Sequence, residues 1–138
     1  MANHIYYKTG YKYQLCREHT ELVSIFLDPH KPVETDYLKL ADGWLTIKKG
    51  YAWDGASGPT VDSKSSMRGS LVHDALYQIM RLGLLSETYR KQADKLLHDI
   101  CTADGMNPIR ADLWRDAVHL LAGRYAKRGT EQRVLVAP

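Results

Sequence analysis

The chain has 138 residues, 44% hydrophobic and 25% charged, with a net charge of +3 and a pI near 8.8. That length gives one domain with a real core, and the balance is ordinary for a globular protein. No apolar run approaches the ~20 residues of a membrane helix, the N-terminus has no apolar signal region, and Cys16 and Cys101 lack metal-type spacing, so a protein made in the cytoplasm with buried free thiols is expected.

The first half reads as β. Residues 11–16 and 21–27 are rich in aromatic and β-branched side chains, and Asp28-Pro29-His30-Lys31-Pro32 breaks the chain after them. Residues 37–41 and 44–48 flank Asp42-Gly43. An Asp-Gly pair between alternating segments predicts a hairpin, because a type I′ turn needs positive φ at both central residues. From Gly50 to about Ser66 the chain is rich in Gly and small residues.

The second half reads as α. Met67, Leu71, Val72, Ala75, Leu76 and Ile79 recur at helical spacing, and Gly83 suits the helix end. Ser86 is placed to cap a second helix whose inner face is Tyr89, Ala93, Leu96, Leu97 and Ile100, with Gly105 closing it. Asn107-Pro108 opens a third, with Ile109, Leu113, Trp114, Ala117, Val118, Leu121 and Tyr125 as its apolar stripe and Gly129 at its end. Arg133 to Val136 reads as a last strand or docked tail. The expected fold is α+β in a single domain: a β-rich part over 1–60 with an antiparallel sheet and hairpin, three helices over 61–128, and a tail over 129–138.

Charge is uneven. From Met106 onward Arg110, Arg115, Arg124, Lys127, Arg128 and Arg133 outnumber Asp112, Asp116 and Glu131. A basic end of this kind can meet phosphates, but no nucleic-acid reading motif accompanies it, and a solvated helix face is the expectation.

The candidate chemistry sits on the first two helices. His73 and Tyr77 are four apart and share a face, with Asp74 offset by about a hundred degrees. Asp94 and His98 share a face of the second helix, which Cys101 continues. The turn from Gly83 to Ser86 is short, so the helices should run antiparallel. His73 lies about ten residues before that turn and Asp94 about ten after it, so the two come level, with Tyr77 in reach of the same carboxylate. A His held by a buried Asp is the arrangement of a general base. Asp74 is left for a hard cation, with the loop from Asp54 to Pro59 to supply further oxygens: Gly55 and Gly58 permit tight turns that aim carbonyls, and Asp54 and Ser57 add side-chain oxygens.

The run His73-Asp74-Ala75-Leu76-Tyr77, followed about twenty residues later by Ala93-Asp94-Lys95-Leu96-Leu97, resembles the two catalytic helices of secreted-type phospholipase A2, and most closely the compact forms of bacteria and parvovirus capsid proteins. The likeness covers about thirty residues, roughly Leu71 to Cys101. It implies that His73 activates water, Asp74 binds calcium, Tyr77 and Asp94 hold the histidine, and the loop with Asp54, Gly55, Ser57 and Gly58 completes the calcium site. It also implies phospholipid, as a host envelope component, for substrate. Two departures stand out: Trp53-Asp54-Gly55-Ala56-Ser57-Gly58-Pro59 replaces the Tyr-x-Gly-x-Gly type loop, and the helix-linking disulfides are missing.

Gly50 to Pro59 with His73-Asp74 and Tyr77 also resembles a phage- and prophage-associated domain family of uncharacterised function, which implies a viral origin, synthesis in the host cytoplasm and a virion-associated role. The expected function is then a calcium-dependent esterase acting on envelope lipid. The alternative is a non-catalytic phage accessory or host-factor-binding protein that keeps the helical scaffold. A His-Asp phosphohydrolase would need more upstream His ligands, and His4, His19 and His30 show no helical pairing with His73.

Overall fold

The computed structural model describes residues 4–8, 13–55 and 63–121. Its strands are β1 (Tyr7–Lys8), β2 (Tyr13–Leu15), β3 (His19–Leu22), β4 (Val33–Glu34), β5 (Leu38–Ala41), β6 (Trp44–Ile47) and β7 (Ala52–Trp53). They form two antiparallel sheets, ordered β1-β2-β7 and β3-β6-β5-β4, where the sequence suggests one. The hairpin is the expected one: Asp42 and Gly43 have φ of +53° and +82° and join β5 to β6. Its pleat buries Leu38, Leu40, Leu45 and Ile47 on one face.

The strand expected over 21–27 stops early. The ladder ends at Leu22, and Val23 and Ser24 both donate N–H to the Gly43 carbonyl, with Ser24 at φ +55°. Two residues facing one partner is the geometry of a bulge, which ends regular pairing while Val23 and Ile25 stay buried. β1, β4 and β7 have two residues each, too few to show a period.

Three helices follow: α1 (Lys64–Arg81), α2 (Arg90–Ala103) and α3 (Pro108–Leu121). Ser63 opens α1 with its side chain and that of Ser66 in a reciprocal capping box. Gly83 closes it at φ +76°: its N–H reaches the Met80 carbonyl and that of Leu84 reaches Ile79, a Schellman ending. Ser86 caps a short 3₁₀ turn, Glu87–Tyr89, by accepting from the Thr88 N–H, so α2 begins one turn later than a direct Ser86 cap implies. Pro108 is the first residue of α3, and Asn107 Oδ1 accepts from the Ile109 N–H.

Contacts between α1 and α2 run in opposite directions along the two helices: Arg68 meets Asp104, Gly69 meets Cys101 and Leu97, and Tyr77 meets Arg90. The pair is antiparallel. Gly69 lets them approach, because a Cβ there would lie 2.5 Å from Cys101 Sγ and 3.3 Å from the Leu97 carbonyl oxygen. α1 is buried along most of its length, and Leu71, Val72, Ala75, Leu76 and Ile79 share one core with the inner faces of the strands. Polar groups cross that core too. Arg68 forks onto Asp104 with Nε and Nη2 and reaches Glu21 of β3 with Nη1, all at 2.9–3.2 Å, while His19 Nε2 lies 3.0 Å from Glu21.

The inner face of α3 differs from the stripe read in the sequence. Ala111, Trp114 and Val118 pack with Leu97, Cys101 and Met106. Ile109 and Leu113 are 71% and 62% exposed, and Ala117 is only partly buried. The short turn after α2 sets the rotation of α3, so one narrow arc is buried and the other apolar residues point outward. Tyr125, Gly129 and the segment 133–136 lie outside the described residues. Among the described residues no helix is long and apolar enough to cross a membrane.

Candidate active site

The antiparallel register brings His73 and Asp94 together. His73 Nε2 lies 2.7 Å from Asp94 Oδ1, and the Tyr77 hydroxyl donates to the same oxygen at 2.7 Å. The His73 and Tyr77 rings, one helical turn apart, lie with centroids 4.2 Å apart. Asp94 is 2% exposed and His73 5%. Burial opposes charge on Asp94, but hydrogen bonds from His73 and Tyr77, the charge of His73 and a bond from His119 outweigh it and hold the carboxyl below its usual range. Burial raises the Tyr77 hydroxyl, so it stays protonated and donates.

The ionised Asp94 accepts a hydrogen bond from the Nε2–H, which leaves the lone pair of neutral His73 on Nδ1. That atom lies 3.9 Å from Asp74 Oδ1, beyond a direct hydrogen bond. Burial alone would make the His73 imidazole less basic; the two nearby carboxylates, Asp74 by its charge and Asp94 by its hydrogen bond and charge, reverse this and raise its pKa above the ordinary value. The Asp74 side chain is 37% exposed. Desolvation nevertheless raises its carboxyl; His73 and Arg81 oppose this and the charge of Asp54 adds to it.

Asp54, just after β7, is therefore close enough for its charge to be felt at Asp74. Repulsion between two carboxylates is what a divalent cation relieves. Gly55 beside them is buried with φ +81°, a conformation that suits glycine. Among the described residues, no three or more His, Cys, Asp or Glu side chains group to hold a metal. Ser57 and Gly58, the other two expected ligands, lie outside the described residues.

The side of α2 that carries Asp94, His98 and Cys101 serves two neighbouring helices. His98 does not continue the face of Asp94 toward α1: its Nε2 lies 2.7 Å from Asp112 and its Nδ1 2.9 Å from Asp99, so it ties α2 to α3. Cys101 continues the α1-facing side of Asp94 farther along the helix, against Gly69, and burial pushes its thiol up to about 12.

His119 was absent from the constellation read in the sequence. Its Nδ1 lies 2.7 Å from Asp94 Oδ2. The guanidinium of Arg90 meets the His119 carbonyl with Nη2 and the Tyr77 hydroxyl with Nε at 3.4 Å. A signal for His119 existed. Equal steps to either side of the turn at Met106 and Asn107 reach Asp94 and His119, the same counting that pairs His73 with Asp94. No known family, curated protein or solved structure matches the chain.

Proposed function

We propose that the chain is a phage-type hydrolase of the phospholipase A2-like kind, with His73 as general base, acting on ester bonds of envelope phospholipid beside a calcium ion. The observation that carries this reading is the His73 imidazole, fixed through Nε2 on buried Asp94 and left with Nδ1 3.9 Å from Asp74. A separation of that size between polar atoms suits a water touching both. Nδ1 takes a proton from that water as its oxygen bonds to the ester carbonyl carbon, and the carbonyl electron pair moves onto oxygen. When the tetrahedral species collapses, the ester C–O bond breaks. The imidazolium returns its proton to the leaving alkoxide, giving a free fatty acid and a lysolipid.

Asp74 and Asp54, with carbonyls of the loop that follows, would hold calcium, which supplies Lewis-acid stabilisation of the oxyanion. Asp94 and Tyr77 keep the imidazole in one tautomer and compensate the charge it gains. The reading carries with it synthesis in the host cytoplasm and association with the virion. Its test is fatty-acid release from mixed phospholipid vesicles in millimolar calcium. Release should stop on chelation and in Asp74→Asn; release that ignores both would remove calcium from the account.

A second reading, a host-factor-binding module on the same scaffold, is favoured by the outward apolar residues of α3. Ile109, Leu113 and Leu120 are 71%, 62% and 81% exposed at helical spacing. Capture of a host protein lost in the double variant Ile109→Asp/Leu113→Asp would support it. Equal capture by that variant would remove it.

A further inference from the structure

We infer that His119 is a positioning residue of this site, holding the carboxylate that holds the base. This rests on the proposed role of His73. Asp94 is buried at 2% exposure and takes donors on both oxygens: His73 and Tyr77 of α1 on Oδ1, His119 of α3 on Oδ2. A carboxylate held at one oxygen can pivot about its Cβ–Cγ bond and exchange its oxygens. Held at both, it keeps Oδ1 in line with His73 Nε2. Two helices therefore fix one group on a third.

His119 is itself fixed. Its carbonyl takes the Arg90 guanidinium, whose Nε lies 3.4 Å from the Tyr77 hydroxyl. Its main chain and its ring are thus both joined to the groups around Asp94. Its side chain remains 47% exposed, and an exposed pair of this kind is ordinarily worth little. The partner decides otherwise: Asp94 sits in a site poor in water, where a charge-assisted hydrogen bond is strong and its loss leaves a buried oxygen without its donor. The ring of His119 contributes position, while the proton transfer stays at His73.

The test compares His119→Ala with His119→Asn, whose amide N–H can replace the Nδ1–H donor without titrating. Two readouts are taken on the full chain: kcat and KM for vesicle hydrolysis, and the ¹H–¹⁵N signal of the His73 Nε2–H. In the wild type that proton should give a hydrogen-bonded signal protected from solvent exchange. His119→Ala should lower kcat ten- to a hundredfold, roughly the effect of losing a partner that orients an active-site ligand, with KM unchanged and with the His73 signal shifted and faster to exchange. His119→Asn should restore most of both.

An unchanged His73 signal and kcat in His119→Ala would overturn the proposal and make His119 a surface residue. A rise in KM with kcat intact would overturn it too, by making His119 a substrate contact. Should no hydrolysis occur even in the wild type, the catalytic reading fails, and the His73 signal alone still decides whether His119 positions Asp94.

Discussion

At the scale of single residues, the chemistry converges on Asp94. It is charged, almost fully buried, and tolerated because three side chains donate to it. Its depressed folded-state pKa fixes the sign of a pH effect. A carboxyl lowered on folding adds stability that is complete above its unfolded value, ~3.9, and is lost as the pH falls through the lower folded value. Asp94→Asn keeps the shape but loses the charge and sets an amide N–H against a donor. Denaturant unfolding at neutral pH should show it weaker than wild type by about 3 kcal/mol, and the gap should shrink as the pH falls below the unfolded value and through the lower folded one. A gap independent of pH would mean that the stability of the site does not depend on this charge.

At the scale of elements, how close α1 and α2 come is decided by Gly69. Alanine there gains about 1 kcal/mol of helix propensity. Its methyl would sit 2.5 Å from Cys101 Sγ and 3.3 Å from the Leu97 carbonyl oxygen, so the buried thiol or the helix backbone must shift. Gly69→Ala should therefore lower stability by about 2 kcal/mol net in thermal or urea melts. Adding Cys101→Ala should recover part of that loss, so the double variant is more stable than the sum of the singles. Strict additivity would show that the contact does not couple the helices. The pairing of these helices was legible in the sequence because a short turn turns counting into register, and the same holds for the Asp42-Gly43 hairpin, where only one turn chemistry fits. The inner face of α3 was not legible. Apolar residues surround much of that helix, so periodicity alone allowed Ile109 and Leu113 to be placed inward. The partner of His98 was not legible either: spacing puts it on one face with Asp94 but cannot say that Asp112 draws its ring toward α3.

At the scale of the whole molecule, the buried Arg68 network binds the strand layer to one end of the helical pair, joining Glu21 of β3, the start of α1 and the Asp104 cap of α2. Arg68→Met would leave two carboxylates with a lost counter-charge and should cost about 3–5 kcal/mol in equilibrium unfolding. Replacing Glu21 and Asp104 by Gln and Asn in the same chain should recover much of it, since what hurts is the uncompensated charge and not the missing ion pair. If the single change proved neutral, this layer-to-layer tie would be irrelevant to stability. Site and scaffold share α1: Arg68 anchors it on one side while His73, Asp74 and Tyr77 line the candidate site further along. The proposed hydrolysis depends on His73 accepting a proton at Nδ1. The measurement that tests this most directly is fatty-acid release from calcium-containing phospholipid vesicles by wild type and by His73→Gln, both shown folded by melting. The account predicts release by the wild type and a fall on the order of a hundredfold or more in the variant; release that is equal in the two proteins would contradict it.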